Sequence, residues 1–229
     1  MLQRAVDEAG QLVDRVSPDE LDNSTPCSEW TVRDLINHVT GGATMFALSA
    51  EQGSVPDEEM GRLMTGDNLG TDYKGAFNTA TARAMAAFGQ PGVLEKVVKL
   101  PFGEMPGGVA LNIAVFDVTT HAVDLARATG QTVDDTELLE AALGMGQEMI
   151  GPELRQPGVF GPEQPRRAAR PPRTSCWPSP AVRSEVSSRA APRACPTTSR
   201  CWAVCVYRCA EMSNRPADDL FDTPADPSV

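Results

Sequence analysis

Seven apolar side chains between Val32 and Ala47 recur at the spacing of a single helix face: Val32, Leu35, Ile36, Val39, Ala43, Phe46 and Ala47. A stripe of that width has to be covered by other helices, so the segment predicts an amphipathic core helix running to about residue 49. Thr31 stands where an N-cap belongs, and Asp34, three residues on, completes an approximate capping box. Gly41 and Gly42 interrupt the stripe. They lower helix propensity but let a neighbouring backbone or a ligand come close.

The same period recurs elsewhere. Leu2, Val6, Ala9, Leu12 and Val13 mark a first helix over residues 2–15, stopped by Pro18. A polar loop from Asp19 to Cys27 follows. Residues 50–71 are rich in Gly, Asp and Glu and predict a long loop with room for one short helix. An alanine-rich helix is expected from Tyr73 to Phe88, ended by Gly89 and Pro91. Val93 to Leu100 alternates loosely, as a short extended segment would, and Pro101 to Gly108 reads as a turn. Val109 to Ala128 is strongly helical up to Gly130, and a last helix spans roughly Asp135 to Ile150. Four to five helices without a convincing strand set predict an all-α, bundle-like domain.

Charge bounds the partners. The chain carries a formal net charge of -11 with a pI near 4.6. Phosphate binding needs a concentrated basic surface, which argues against nucleic acid. No stretch approaches 18 apolar residues, which excludes a membrane span, and acids fall where the apolar core of a signal peptide would lie, so a cytoplasmic protein is expected. Composition breaks sharply near residue 165. Residues 1–164 hold 10 Lys+Arg and 25 Asp+Glu, whereas residues 165–229 hold 10 Arg, no Lys and 6 acids. The second stretch also carries 10 of the 19 prolines and five of the six cysteines: Cys176, Cys195, Cys201, Cys205 and Cys209.

The chain has only two histidines, His38 and His121. Asp117 and His121 are four residues apart, which stacks carboxylate and imidazole on one helix face, and Asp124 falls within about 60° of the same arc. Two readings are open. Asp117 and His121 form half of a metal site, which a histidine from another helix completes, with Asp124 behind them to orient a ligand or receive a proton. Alternatively, all three are ordinary polar residues on a solvent-facing flank. His38 lies at the edge of its apolar stripe, where a lone histidine is more often a hydrogen-bonding border residue than a ligand. Cys27 reads as a packed helix entry with Pro26 and Trp30 rather than as a thiol activated by the following helix. Arg127 complements the helix dipole and is the candidate contact for an anionic ligand. The tail cysteines have no Cys-x-x-Cys pair, and neither zinc nor a disulfide scaffold is expected there.

Three stretches together resemble the mycothiol-dependent maleylpyruvate isomerase-like, metal-binding proteins of the DinB superfamily, found in actinobacteria. They are Thr25-Pro-Cys-Ser-Glu-Trp-Thr-Val-Arg-Asp-Leu-Ile-Asn-His38-Val, Leu100-Pro-Phe-Gly-Glu-Met-Pro-Gly, and Phe116-Asp-Val-Thr-Thr-His121-Ala-Val-Asp-Leu-Ala-Arg-Ala-Thr-Gly130. The resemblance runs from about residue 2 to Glu163. It implies a four-helix bundle of up-down-down-up topology with a divalent metal, often zinc, at one end. His38, Asp117 and His121 fall on the family's ligand positions, with Asp117 standing where the isomerase has a glutamate. It also implies a role for the metal in activating the thiol of a small cofactor such as mycothiol against an electrophilic substrate, in a transferase or isomerase reaction. A metal-binding bundle without catalysis, serving a stress-related or ligand-binding role, is the alternative. The isomerase draws further residues from a C-terminal domain, and nothing here resembles one. Oligomeric state stays open between monomer and homodimer.

The expected domain therefore covers residues 1–164, and residues 165–229 form an atypical, largely disordered tail. Arg, Pro, Ser and Cys enrichment without lysine is what an out-of-frame reading of GC-rich DNA produces. This motivates the hypothesis of a frameshift near residue 165, and a coding DNA without a family-like C-terminus in another frame would defeat it.

Overall fold

The computed structural model describes residues 1–27, 29–152 and 155. The expected boundary at 164/165, the disorder expected of the tail and its cysteines lie outside the described residues. The elements, in chain order, are α1 (Leu2–Arg15), a 3-10 turn (Pro18–Glu20), α2 (Val32–Gln52), α3 (Asp57–Thr65), α4 (Tyr73–Phe88), β1 (Val97–Leu100), β2 (Gly103–Pro106), α5 (Gly107–Thr129) and α6 (Thr136–Met149).

Helix starts follow side-chain chemistry. The Thr31 hydroxyl accepts from the Asp34 amide at 3.2 Å, and the Asp34 carboxylate accepts from the Thr31 amide at 2.9 Å, so the expected capping box is present. Asp72 and Asp135 cap α4 and α6 by accepting from Gly75 and Leu138. Every residue of the α2 stripe is buried. Gly41 sits where the chain leaving α3 crosses α2; a Cβ there would lie 2.6 Å from the Leu63 carbonyl oxygen. The close backbone approach expected of this glycine is therefore observed.

Four long helices stand in a ring, with α1 against α5, α5 against α2, α2 against α4 and α4 against α1. Contacts between their ends set the directions. Gln131, just past α5, bonds to Leu12 and Arg15 near the end of α1, so α1 and α5 run parallel. Tyr73 and Lys74 at the start of α4 bond to Val16 and Asp14, so α4 opposes α1. Arg83 pairs with Glu51 near the ends of α4 and α2, making those two parallel. The result is up-down-down-up, as the family resemblance implies. Parallel neighbours need a long crossover, and residues 53–72, carrying α3, supply it.

Two expectations are corrected. The segment read as a turn at Pro101–Gly108 contains β2, paired antiparallel with β1 from Val97–Pro106 to Leu100–Gly103. Gly103, at φ 133°, takes a conformation that needs glycine and lets the chain reverse in two residues. In addition, α5 does contain an 18-residue window apolar enough, by length and composition, to cross a membrane. Most of that window is buried inside the bundle, since α5 is the helix that α1, α2 and α6 all pack against.

Candidate metal centre

α2 and α5 run antiparallel, and their facing sides bring His38, Asp117 and His121 together. Relative exposures of 7%, 1% and 1%, with Asp124 at 0%, rule out the solvent-facing flank. The Asp-x-x-x-His-x-x-Asp face is buried because α1, α2 and α6 pack against α5, and α2 brings His38 to meet it.

The Nε2 atoms of His38 and His121 each stand 3.5 Å from Asp117 Oδ1. Ligand atoms of the three residues all lie within 4.8 Å of one another. Atoms arranged tetrahedrally around zinc at about 2.0–2.2 Å stand roughly 3.3–3.6 Å apart, so both edges suit one shared cation. Among the described residues, neither Asp117 Oδ1 nor His121 Nε2 has a hydrogen-bond partner. Buried polar atoms left in that state are costly, and a cation between them removes the cost. The donor set of two imidazoles and one carboxylate fits a divalent metal.

On the other side of the His121 ring, Nδ1 lies 3.3 Å from Asp124 Oδ2, and Cys27 Sγ lies 3.8 Å from that same oxygen. Ligand atoms of Cys27, His121 and Asp124 also fall within 4.8 Å of one another. There the imidazole nitrogen already has a partner, so the His38 side is the better metal position. Cys27 is buried in the core with Val32 and Leu35, as a packed helix entry requires. Trp30 closes the outer side; its ring centre is 4.6 Å from that of His38 and 5.9 Å from that of His121. Sequence reasoning used Trp30 only as a packing neighbour of Cys27 and missed this contact.

Burial pushes the His38 imidazole down from its ordinary range, only partly offset by Asp117, so it stays neutral with a lone pair available. Burial pushes Asp117 up, but its contact with His38 and the charge of His121 outweigh it and hold the carboxyl low. For His121, burial acts downward and is overcome by Asp124 and Asp117, leaving the imidazole raised. Burial dominates at Asp124 and raises it, against the opposing influence of His121 and Arg127. A cation held by these atoms would take the place of a proton on His121 Nε2. Arg127 is half-buried in the last turn of α5, with its charge acting on Asp124.

Residues 2–126 match the family model of the mycothiol maleylpyruvate isomerase N-terminal domain. The chain belongs to this family. It is similar to uncharacterised proteins from two strains of Mycobacterium tuberculosis, each 40% identical over 172 residues, covering 74% of this chain and 89% of the relative. Among solved structures, it resembles the mycothiol-dependent maleylpyruvate isomerase, at 19% identity and a TM-score of 0.53 over 69% of each chain. A histidine-to-alanine mutant of that enzyme matches at 17% identity with the same TM-score and coverage. At those identities the structural likeness establishes the shared bundle fold.

Proposed function

We propose that the protein binds a divalent cation, zinc by preference, through His38, Asp117 and His121, and uses it with a low-molecular-weight thiol such as mycothiol as a transferase or isomerase. The observation that carries the metal reading is the convergence of the Nε2 and Oδ1 atoms of two helices at 3.5 Å, buried and without hydrogen bonds at His121 and Asp117 among the described residues. Family membership supports the thiol.

Each residue has a definable part. Asp117 brings a negative charge that favours a cation over water in a buried site, and the two imidazoles bring neutral donors. Trp30 lies against both rings and excludes water from that side. When bound, a divalent cation supplies the Lewis acidity that lowers the pKa of a thiol at the site.

The second reading, a metal-binding bundle without catalysis, draws on access. A catalytic metal keeps one position open, yet the three ligands are almost fully buried. The groove of about 470 Å³ between α2 and α4, lined by Thr40, Thr44, Asn68 and Thr79, does not include them. Metal analysis of the purified protein and of His38→Ala and His121→Ala tests the site, and undiminished metal in both variants defeats it. Turnover of an electrophile with mycothiol, lost on metal removal, then separates the enzyme from the non-catalytic bundle.

A further inference from the structure

We infer that Asp124 is a positioning residue: it holds the proton of His121 on Nδ1 and so aims the Nε2 lone pair at the cation. This rests on the metal reading above. A neutral imidazole carries a hydrogen on one nitrogen and a lone pair on the other, and whichever partner sits behind the ring decides which is which. An imidazole that offers Nε2 to a cation carries its hydrogen on Nδ1, and Asp124 Oδ2, 3.3 Å away, is the oxygen placed to accept it. The nitrogen left as an acceptor is Nε2, the atom 3.5 Å from Asp117 Oδ1.

Packing alone does not account for Asp124. It is completely buried, with Cys27 Sγ 3.8 Å from its Oδ2, and its Oδ1 has no hydrogen-bond partner among the described residues. An apolar residue there would bury without that penalty. The 3.3 Å separation is long for a charge-assisted bond. A cation on Nε2 withdraws electron density from the ring, polarises Nδ1–H and strengthens the bond to Asp124, so the burial of this carboxylate is compensated in the loaded state. Helical spacing makes the arrangement possible. Asp117 and Asp124 lie four residues before and three after His121, which places one carboxylate beside each nitrogen of the same ring.

Nitrogen-15 NMR of the imidazoles in the zinc-loaded, full-length protein reads the state of His121 directly and needs no variant. The expected signal is Nδ1–H with Nε2 bound; a proton on Nε2 overturns the inference. Chelator competition is the second arm. Asp124→Ala is expected to weaken zinc binding about 10- to 100-fold. Asp124→Asn should fall between it and the native protein, because its carbonyl still accepts from Nδ1–H. Zinc lost by His38→Ala and His121→Ala but held at native affinity by Asp124→Ala overturns the role of Asp124 alone. Zinc held undiminished by the two histidine variants overturns the metal reading, and this inference with it.

Discussion

Replacing Asp117 by asparagine should separate the metal's contribution to stability from that of the fold. The side chain keeps its shape on α5 and loses the charge that faces both imidazoles at 3.5 Å. Because both ligand edges already match a zinc tetrahedron, the cation enters a preformed site and its binding energy appears as folding stability. At free zinc 100 times the dissociation constant, that contribution is about 2.7 kcal/mol. A domain of this size gains about 2–4 °C per kcal/mol, so the native protein should melt about 5–11 °C higher with zinc than with chelator. Removing a carboxylate that orients a ligand costs 10- to 100-fold in affinity, and removing a ligand itself should cost at least the upper figure. At the same zinc concentration a 100-fold loss leaves about 0.4 kcal/mol, a shift of roughly 1–2 °C. Thermal unfolding followed by circular dichroism, with and without zinc, gives the four numbers needed. A zinc-dependent shift of the same size in Asp117→Asn refutes the assignment of Asp117 as a ligand, and no shift in the native protein refutes the site.

Three further outcomes follow from other contacts. Gly41→Ala places a Cβ 2.6 Å from the Leu63 carbonyl and 2.7 Å from the Asn68 amide nitrogen. Overpacking of about 1–3 kcal/mol should exceed the roughly 1 kcal/mol gained in helix propensity, so urea unfolding should show a net loss; a stabilised variant would show the crossing chain yields freely. Hydrogen bonds from Arg4 and from the Leu138 amide hold the Asp135 carboxyl below its ordinary value, so the ionised form contributes stability above its unfolded pKa and loses it as pH falls through the lower folded one. The stability difference between the native protein and Arg4→Ala should accordingly be largest near neutrality and shrink below about pH 4, and a difference that grows on acidification contradicts the pairing. Trp30 lies against His38, so cobalt(II) at the site should quench its fluorescence. Titration of the native protein against Trp30→Phe checks this, and equal quenching in both would place the cation elsewhere.

Much of the bundle was legible because burial of an amphipathic helix writes its period into the chain. The α2 stripe, its Thr31–Asp34 cap and the span of α4 are local matters, decided by residues a turn apart. The β1–β2 hairpin was half hidden. Its second strand is four residues with two glycine- and proline-bearing ends, and it pairs only because Gly103 reverses the chain. On α5, Asp117, His121 and Asp124 could equally have formed a solvent flank; the bundle gathers them on its buried face.

The helices, their caps and an Asp117–His121–Asp124 face were already written along the chain, because 3.6-residue periodicity and cap chemistry act within one segment. The family motifs linked that face to His38, residues from helices far apart in the chain. Whether those polar residues met water or one another depended on how the helices pack. The up-down-down-up ring sets α2 antiparallel to α5 and seats His38 opposite Asp117, at a depth where water cannot satisfy them. It also put Trp30, from the loop before α2, on a further side of both imidazoles, which no spacing along one helix specifies. A metal site is a convergence of directions in space, and helix spacing supplies just one of the directions.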